Sequence, residues 1–282
     1  MKPINTPGRP GFPVQLKSAG TLPIAIKNIA TSSRSNWGGS VIDPKNDLQR
    51  PVPAGLGLDS HAIRARMVQK LAVQGVTDPR VLAAMGQVER HRFVDSALVT
   101  QAYEDTSLPI GLGQTISKPN VVARMLELIL AGEISEPHET NNASKAGKLG
   151  RVLEIGTGCG YQAALLGQIA TEVYSIERLR GLHDKARDNL RPFRLPNVHL
   201  LFGDGMIGYA KGAPYAAIIS AAGGESIPQT WVDQLAMGGR LVAPLQSASG
   251  AQALVVVDKT PQGIRQTLLE AVNFVPLKSG TS

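Results

Sequence analysis

The spacing of hydrophobic residues changes near residue 150. From residue 151 onward, segments with apolar residues at helical spacing alternate with short apolar runs, which include RVLEI, EVYSIE, VHLLFGD and YAAIISA. Apolar runs of this length indicate buried strands, and strands that alternate with helices pair in parallel. Residues 151–282 are therefore predicted to form an α/β core with a doubly wound, mostly parallel sheet of seven strands.

The last two predicted strands follow a different rule. The run ALVVVDK is followed by the turn TPQG and then by the run EAVNFVPL, with no helical segment between the two runs. Strands joined by so short a turn must pair antiparallel. We therefore expect the parallel sheet to end in an antiparallel hairpin.

The first half of the chain divides into three parts by pattern. Residues 1–57 are rich in Pro, Ser and Gly and keep no hydrophobic period, which predicts a disordered extension. Residues 58–132 show helical spacing in three segments and predict a helical lead-in, with Asp78 as the N-cap of a helix that begins at Pro79. Residues 133–150 are polar and predict a surface loop between the lead-in and the core.

Charge and composition narrow the class of protein. The net charge is +7, but residues 1–60 hold seven Lys or Arg against three Asp or Glu, and the rest holds 22 against 19. A nearly neutral body makes nucleic acid an improbable partner. The single cysteine, Cys159, fits a reducing cytoplasm, no apolar run approaches the roughly 20 residues of a membrane span, and the five histidines show no metal-ligand spacing. We expect a cytoplasmic protein that needs neither metal nor membrane.

A glycine-rich segment follows the first core strand. In VLEIGTGCGYQAALL, Gly156, Gly158 and Gly160 lie between a strand and a helix. Glycines let the backbone turn sharply and let a ligand approach it near a helix N-terminus. The G-x-G-x-G spacing differs from the dinucleotide fingerprint, and a tight turn without a ligand is the open alternative.

Two acidic residues end the next two strands. Glu177 could accept hydrogen bonds from the ribose hydroxyls of an adenosine, and Asp204, followed by Gly205, could accept from an adenine amino group. The alternatives are a solvated strand-end acid and an ordinary turn aspartate. Because ligands bind at the carboxyl edge of such sheets, the combination favours an adenosyl cofactor. A sheet that ends in a hairpin matches the architecture of S-adenosylmethionine-dependent methyltransferases.

Over residues 61–277 the chain resembles the protein-L-isoaspartate O-methyltransferase family. The resemblance is carried, in order, by RHRFV, AYEDTSLPIGLGQTISKPNVVARMLEL, VLEIGTGCGYQAALL, VYSIER, FGDGMIGY, APYAAIISAA, IPQTWVDQLAMGGRLVAPL and FVPL. It implies an enzyme of protein repair. Such an enzyme transfers a methyl group from S-adenosyl-L-methionine to the free α-carboxyl of L-isoaspartyl residues in damaged proteins and peptides.

The resemblance also implies roles for individual residues. Ser117 matches the active-site serine of the family's T-I-S motif, and Thr115 and Ile116, with Val275 and Pro276 of FVPL, match segments that frame the isoaspartyl pocket. The residues that match the cofactor site are Gly156, Thr157, Gly158, Gly160, Glu177, Asp204 and Gly205.

Ser117 has two interpretations that can coexist. It could cap the helix that Lys118 and Pro119 begin, or it could orient the incoming carboxylate or the cofactor. A nucleophilic role is disfavoured because a methyl sulfonium is already an activated electrophile and a carboxylate is ionised at neutral pH. Transfer then depends on holding two reactants together and excluding water.

Two departures from the family pattern keep an alternative open. Cys159 stands where serine is common, which is nearly isosteric, and Ala216 stands where the family often has aspartate. Loss of a carboxylate beside the cofactor-side strand would favour a catalytically impaired, S-adenosylmethionine-binding member of the family. A methyltransferase for RNA or a small molecule is a third hypothesis. Base N-methylation is disfavoured because SAAGGESIP replaces the Asn/Asp-Pro-Pro-aromatic motif after the fourth strand.

Overall fold

The computed structural model describes residues 60–132, 147–247 and 250–282. The predicted extension, residues 1–57, lies outside this range, and so does most of the predicted loop, residues 133–150. Both therefore stay predictions. Within the described part of the chain, no helix is long and apolar enough to cross a membrane.

The described part of the lead-in contains three α-helices, two short 3-10 helices (Arg90–Phe93 and Ser96–Gln101) and a short hairpin. The elements are α1 (Ser60–Val73), α2 (Pro79–Gln87), β1 (Leu108–Gly111), β2 (Gln114–Ile116) and α3 (Pro119–Leu130). Asp78 is the N-cap of α2, as predicted, because its Oδ1 accepts a hydrogen bond from Arg80 N at 2.8 Å. The hydrogen-bonded Arg80 side chain lowers the pKa of Asp78.

The hairpin of β1 and β2 was not expected as regular structure. Its strands pair antiparallel, and the turn passes through Gly111, Leu112 and Gly113, whose φ angles are 98°, 51° and 69°. Each strand is only three or four residues long, which is too short to show a hydrophobic period. The glycines therefore indicated a turn, and the strands on either side of it were missed.

The core is a seven-stranded sheet with helices between its parallel strands. Its elements are β3 (Leu149–Ile155), α4 (Tyr161–Ile169), β4 (Ala170–Glu177), α5 (Arg180–Leu190), β5 (Val198–Phe202), β6 (Tyr215–Ser220), α6 (Gln229–Gln234), β7 (Leu235–Gln246), β8 (Gln252–Thr260) and β9 (Gly263–Val272). The strand order is β5-β4-β3-β6-β7-β8-β9. Strands β3 to β7 are parallel, and β8 and β9 are antiparallel, which confirms the predicted fold class.

The last strand was predicted at the wrong place. The run EAVNFVPL begins at residue 270, whereas β9 begins at Gly263 and ends at Val272. β9 is the edge strand, and almost all of its residues are exposed, so it shows no alternation of buried and exposed positions. Residues 273–277 instead leave the sheet and cross toward Gly223, with which Pro276 forms an isolated bridge.

The parallel strands bring the predicted site to one edge. Strands β3, β4, β5 and β6 end at Ile155, Glu177, Phe202 and Ser220, and these ends share the carboxyl edge of the sheet. Two buried apolar clusters fill the faces of the sheet and fix its strands. The loops at the carboxyl edge are therefore held by a rigid core.

Candidate functional site

The glycine loop connects β3 to α4 in a conformation that needs glycine. Gly156, Gly158 and Gly160 have φ angles of 88°, 57° and 92°, a region that other residues rarely adopt. Gly156 N donates to Ile176 O at 2.9 Å, which holds the start of the loop against β4. A Cβ on Gly160 would lie 3.0 Å from Leu190 Cδ1, so Gly160 serves packing behind the loop.

Glu177 holds the glycine loop in place and can still accept further hydrogen bonds. This side chain is buried; Oε2 accepts from Gly158 N at 2.8 Å and Oε1 accepts from Leu179 N at 2.9 Å. A carboxylate offers about four lone-pair sites, so about one site on each oxygen is left over. Glu177 can therefore hold the loop and accept two further hydrogen bonds from a ligand.

Asp204 and Gly205 lie at the end of β5 and have different surroundings. Asp204 Oδ1 accepts from Met206 N at 2.8 Å, and Oδ2 accepts from Gly280 N at 2.6 Å. Asp204 does not line the main cavity, whereas Gly205 does. A Cβ on Gly205 would lie 2.6 Å from Ile155 Cγ2, so a larger residue could not pack against β3.

The C-terminal residues 278–282, here called the strap, lie beside Asp204. Arg178 Nε donates to Gly280 O at 2.8 Å, Ser282 N donates to Arg178 O at 2.9 Å, and Arg180 N donates to Ser282 O at 2.8 Å. Sequence reasoning missed this element because KSGTS is polar and has no hydrophobic period. The strap orders the loop that directly follows Glu177.

Deletion of residues 279–282 is expected to weaken the binding of S-adenosylhomocysteine by about tenfold. The deletion removes the strap's backbone hydrogen bonds to Arg178, Arg180 and Asp204, each worth about 1 kcal/mol, and loosens the loop after Glu177. Titration calorimetry of the truncated protein measures the effect. The exposed Thr281 provides a control, since Thr281→Ala keeps the strap's backbone. Unchanged or tighter binding after truncation would contradict this role.

A cavity of about 280 Å³ lies between the glycine loop, the β1–β2 hairpin and residues 275–278. A narrow passage of about 40 Å³ adjoins it and shares five lining residues with it: Ile110, Thr115, Gly156, Gly158 and Ala221. A cavity needs roughly 15 Å³ for each water-sized group, so the passage admits about three heavy atoms. The main cavity fits a small molecule, and the passage fits little more than one carboxylate.

The structure gathers most of the predicted site residues around these two spaces. Those on the main cavity are Thr115, Gly156, Gly158, Glu177, Gly205, Val275 and Pro276. Those on the passage are Thr115, Ile116, Ser117, Gly156, Thr157 and Gly158. Gly160 and Asp204 line neither space. The structure thus brings the predicted cofactor residues and substrate residues to one place, while their individual roles stay predictions.

Ser117 does not cap a helix. The N-cap of α3 is Lys118, no N-cap side chain is hydrogen-bonded there, and Asn120 N donates instead to Asp105 Oδ1 at 2.9 Å. The capping interpretation of Ser117 is therefore wrong. Its half-buried side chain lines the passage and forms no hydrogen bond with another described residue.

Arg90 positions Ser117 and was missed by sequence reasoning. Its side chain is fully buried; Nε donates to Ala102 O at 2.8 Å, and Nη2 donates to Ser117 O at 2.7 Å. The guanidinium also lies 4.8 Å from the centre of the Tyr161 ring. An arginine within RHRFV carries no local signal of burial, because its partners are carbonyl groups distant in sequence.

A buried carboxyl group supports the glycine loop from below. Glu154 on β3 is fully buried, its Oε2 accepts from Ser175 Oγ at 2.5 Å, and Ser175 Oγ lies 2.6 Å from Thr157 Oγ1. Burial raises the pKa of Glu154 to about 8, although the hydrogen bond from Ser175 opposes the shift. Glu154 is therefore protonated below about pH 8, and it links β3 to Thr157 through Ser175.

Glu154→Gln is expected to flatten the pH dependence of stability. The pKa is about 8 in the folded protein against an ordinary value of 4.5, so ionisation costs stability as pH rises between these values. The free energy of unfolding of the parent should therefore fall across this window relative to the variant, by at most about 1.4 kcal/mol per pH unit. Urea denaturation at several pH values measures the difference. Parallel curves for the two proteins would contradict it, and Glu172→Gln on the same sheet is the control.

Ala216, which stands where the family often has aspartate, lies away from the candidate site. Ala216 lies in the amino half of β6, close to Gly150 and Gly239. It precedes Ser220, at the carboxyl edge, by four residues, or about 13 Å of strand. It lines neither the main cavity nor the passage. The expectation that this position stands beside the cofactor side of the strand is therefore wrong.

Cys159 is also compatible with the site. Its side chain is buried, and burial raises the pKa of the thiol to about 11, so the group stays neutral. Asn189 Nδ2 donates to the backbone carbonyl of Cys159 at 2.9 Å and holds the loop from the side of α5. The replacement of a common serine by cysteine changes neither charge nor loop geometry here.

The sheet order, the glycine loop and the acid at the end of β4 define a protein of the adenosyl-binding α/β class. Comparison with known proteins is more specific. Residues 62–282 match the family described as Protein-L-isoaspartate(D-aspartate) O-methyltransferase (PCMT). The chain belongs to this family.

Relatives and solved structures agree with this assignment. The protein-L-isoaspartate O-methyltransferase of Methylibium petroleiphilum is 62% identical over 81% of this chain and 82% of its own length. That of Leptothrix cholodnii is 50% identical over 100% and 98%. A solved protein-L-isoaspartate O-methyltransferase superposes with a TM-score of 0.66, at 26% identity, over 77% of this chain and 66% of the other. A Plasmodium falciparum protein in complex with S-adenosyl-L-homocysteine shares the fold, with a TM-score of 0.63 at 23% identity over 76% and 98%.

Proposed function

We propose that this protein transfers a methyl group from S-adenosyl-L-methionine to the free α-carboxyl of L-isoaspartyl residues in damaged proteins and peptides. The observation that carries the proposal is the narrow passage beside Ser117, which adjoins a ligand-sized cavity on the inner side. The names of relatives at 50–62% identity support the substrate class. We extend the proposal to a cytoplasmic location, which the single cysteine supports.

The residues of the main cavity fit an adenosyl methyl donor. Glu177 keeps about two acceptor sites for ribose hydroxyls, and Gly156 and Gly158 present backbone without side chains. Gly205 lines the cavity after the end of β5 without a side chain, whereas Asp204 does not line it and accepts hydrogen bonds from Met206 N and Gly280 N. When bound, S-adenosylmethionine supplies an electrophilic methyl sulfonium.

The chain's own residues then need only to position and enclose the acceptor. A carboxylate is ionised at neutral pH, so the reaction requires no general base. The Ser117 hydroxyl, which has no partner among the described residues, can donate a hydrogen bond to one carboxylate oxygen. The hairpin and residues 275–277 line the cavity, so bound reactants there replace its water. Independence from metal ions also remains part of the proposal.

The impaired-member hypothesis no longer draws support from Ala216, because this residue lies about 13 Å of strand from the carboxyl edge. No other observation among the described residues favours it.

The proposed chemistry is tested by the stability of the product. The protein is incubated with an isoaspartyl peptide and S-adenosylmethionine labelled in its methyl group. A carboxyl methyl ester releases its label as methanol in mild base, whereas a methylated amine keeps it. We expect base-labile label on the peptide, and base-stable label would overturn carboxyl methylation.

A further inference from the structure

A second space opens on the outer side of Ser117. This outer groove has a volume of about 410 Å³ and lies between the start of α3 and the end of β9. Lys118 and Val121 line one wall, and Asn273 and Phe274 line the other. Among the described residues, Ser117 alone borders both the groove and the narrow passage. The groove and the passage therefore lie on either side of Ser117.

Lys118 is the charged residue of the outer groove. Its side chain is exposed and forms no ion pair or hydrogen bond with another described residue. Asp105 accepts from Asn120 N and Glu270 pairs with Arg124, and neither of these acids lines the groove. No carboxylate lines the groove within the described ranges. Among the described residues, the lining of the groove thus carries the positive charge of Lys118 and no negative charge.

The backbone on both sides of Lys118 is fixed. The carbonyl of Ser117 is held at 2.7 Å by the fully buried Arg90, and Pro119, in the first turn of α3, is buried. The backbone of Lys118 is therefore held in place beside the passage, and its exposed side chain carries the ammonium from that fixed point. A charge attached at a fixed point of the backbone can discriminate between peptides that all bind in the same position along the groove.

We propose that the outer groove holds the polypeptide segment that flanks the isoaspartyl residue, an inference that rests on the proposed function. In this proposal, Lys118 selects segments with an acidic side chain beside that residue. An exposed ion pair contributes modestly, so the preference is about fivefold at low ionic strength. The preference appears in KM rather than in kcat, because Lys118 contacts the flanking segment equally in the ground state and the transition state. Added salt reduces the preference because the pair is exposed to solvent.

The test uses three isoaspartyl peptides of otherwise identical sequence. One has Glu before the isoaspartyl residue, one has Glu after it, and the third has Gln at both positions. We expect kcat/KM for at least one Glu peptide to exceed that of the Gln peptide by about fivefold, and the ratio to fall toward one in high salt. Lys118→Gln should bring the ratio of kcat/KM between the Glu and Gln peptides close to one. Lys118→Arg should retain it, and Lys118→Glu should reverse it.

The control is Lys148→Gln, which removes an exposed lysine at the amino edge of the sheet and should leave the ratio unchanged. Equal kcat/KM for all three peptides, or a preference that survives in Lys118→Gln, would overturn the selection by Lys118 while methyl transfer stands. Absence of turnover on every isoaspartyl peptide would overturn the proposed function and this selection with it.

Discussion

Glu177→Ala is expected to weaken the binding of S-adenosylhomocysteine by about 100-fold or more. The carboxylate holds Gly158 N and Leu179 N through its two oxygens and keeps further acceptor sites toward the cavity. Hydrogen bonds to a charged group contribute about 1.5–3 kcal/mol each, and the loss of two corresponds to a factor of at least about 100. Alanine removes both the support of the glycine loop and the proposed ribose contact.

Titration calorimetry on the folded variant measures this effect, with circular dichroism as the check on folding. Glu172→Ala is the matched control, since Glu172 lies five residues earlier on β4, is half exposed and pairs with His199 at the surface. Its affinity should stay close to that of the parent. If Glu177→Ala bound the ligand as tightly as Glu172→Ala, the cavity beside Glu177 would not be the cofactor site.

Ser117→Ala is expected to lower kcat by about 100-fold with little change in stability. Ser117 lines the passage and its hydroxyl has no partner among the described residues, so removal of the hydroxyl leaves no buried group unpaired. Misplacement of a reacting group by about 1 Å can cost about 100-fold in rate. The free energy of unfolding should change by less than about 0.5 kcal/mol, below the roughly 1 kcal/mol of a lost helix cap.

Steady-state kinetics and urea denaturation on the same preparation separate the two effects. Ser96→Ala, at an exposed position of the lead-in, provides the control for serine replacement. A variant that lost stability but kept its turnover per folded molecule would show that Ser117 is structural. A variant that lost turnover alone would support a contact with the acceptor.

The sequence predicted the parts of the structure that local patterns determine. The central parallel strands β3 and β6 are largely buried on both faces and appear as apolar runs, and the glycine loop was recognisable from its position between β3 and α4. Topology then placed Glu177 near the loop, because parallel strands end at a common edge. These are consequences of short-range pattern and of strand direction.

The remaining parts depend on contacts between distant residues. Arg90 holds the carbonyl of Ser117 across 27 positions, and the strap joins Gly280 to Asp204 across 76. Neither contact leaves a period in the sequence. β9 was misplaced because an exposed edge strand has no buried face to set an alternation. The position of Ala216 within β6 could be read only once the strand's direction and length were known.

The central claim is selectivity for the isoaspartyl carboxyl, and a pair of peptides tests it most directly. The two peptides share one sequence and differ only in whether the aspartyl residue is linked through its β-carboxyl or its α-carboxyl. A passage of about 40 Å³ beside a fixed Ser117 should accept the carboxylate in one geometry only. We expect kcat/KM for the isoaspartyl peptide to exceed that for the aspartyl peptide by at least about 100-fold. Equal kcat/KM for the two peptides would contradict the account.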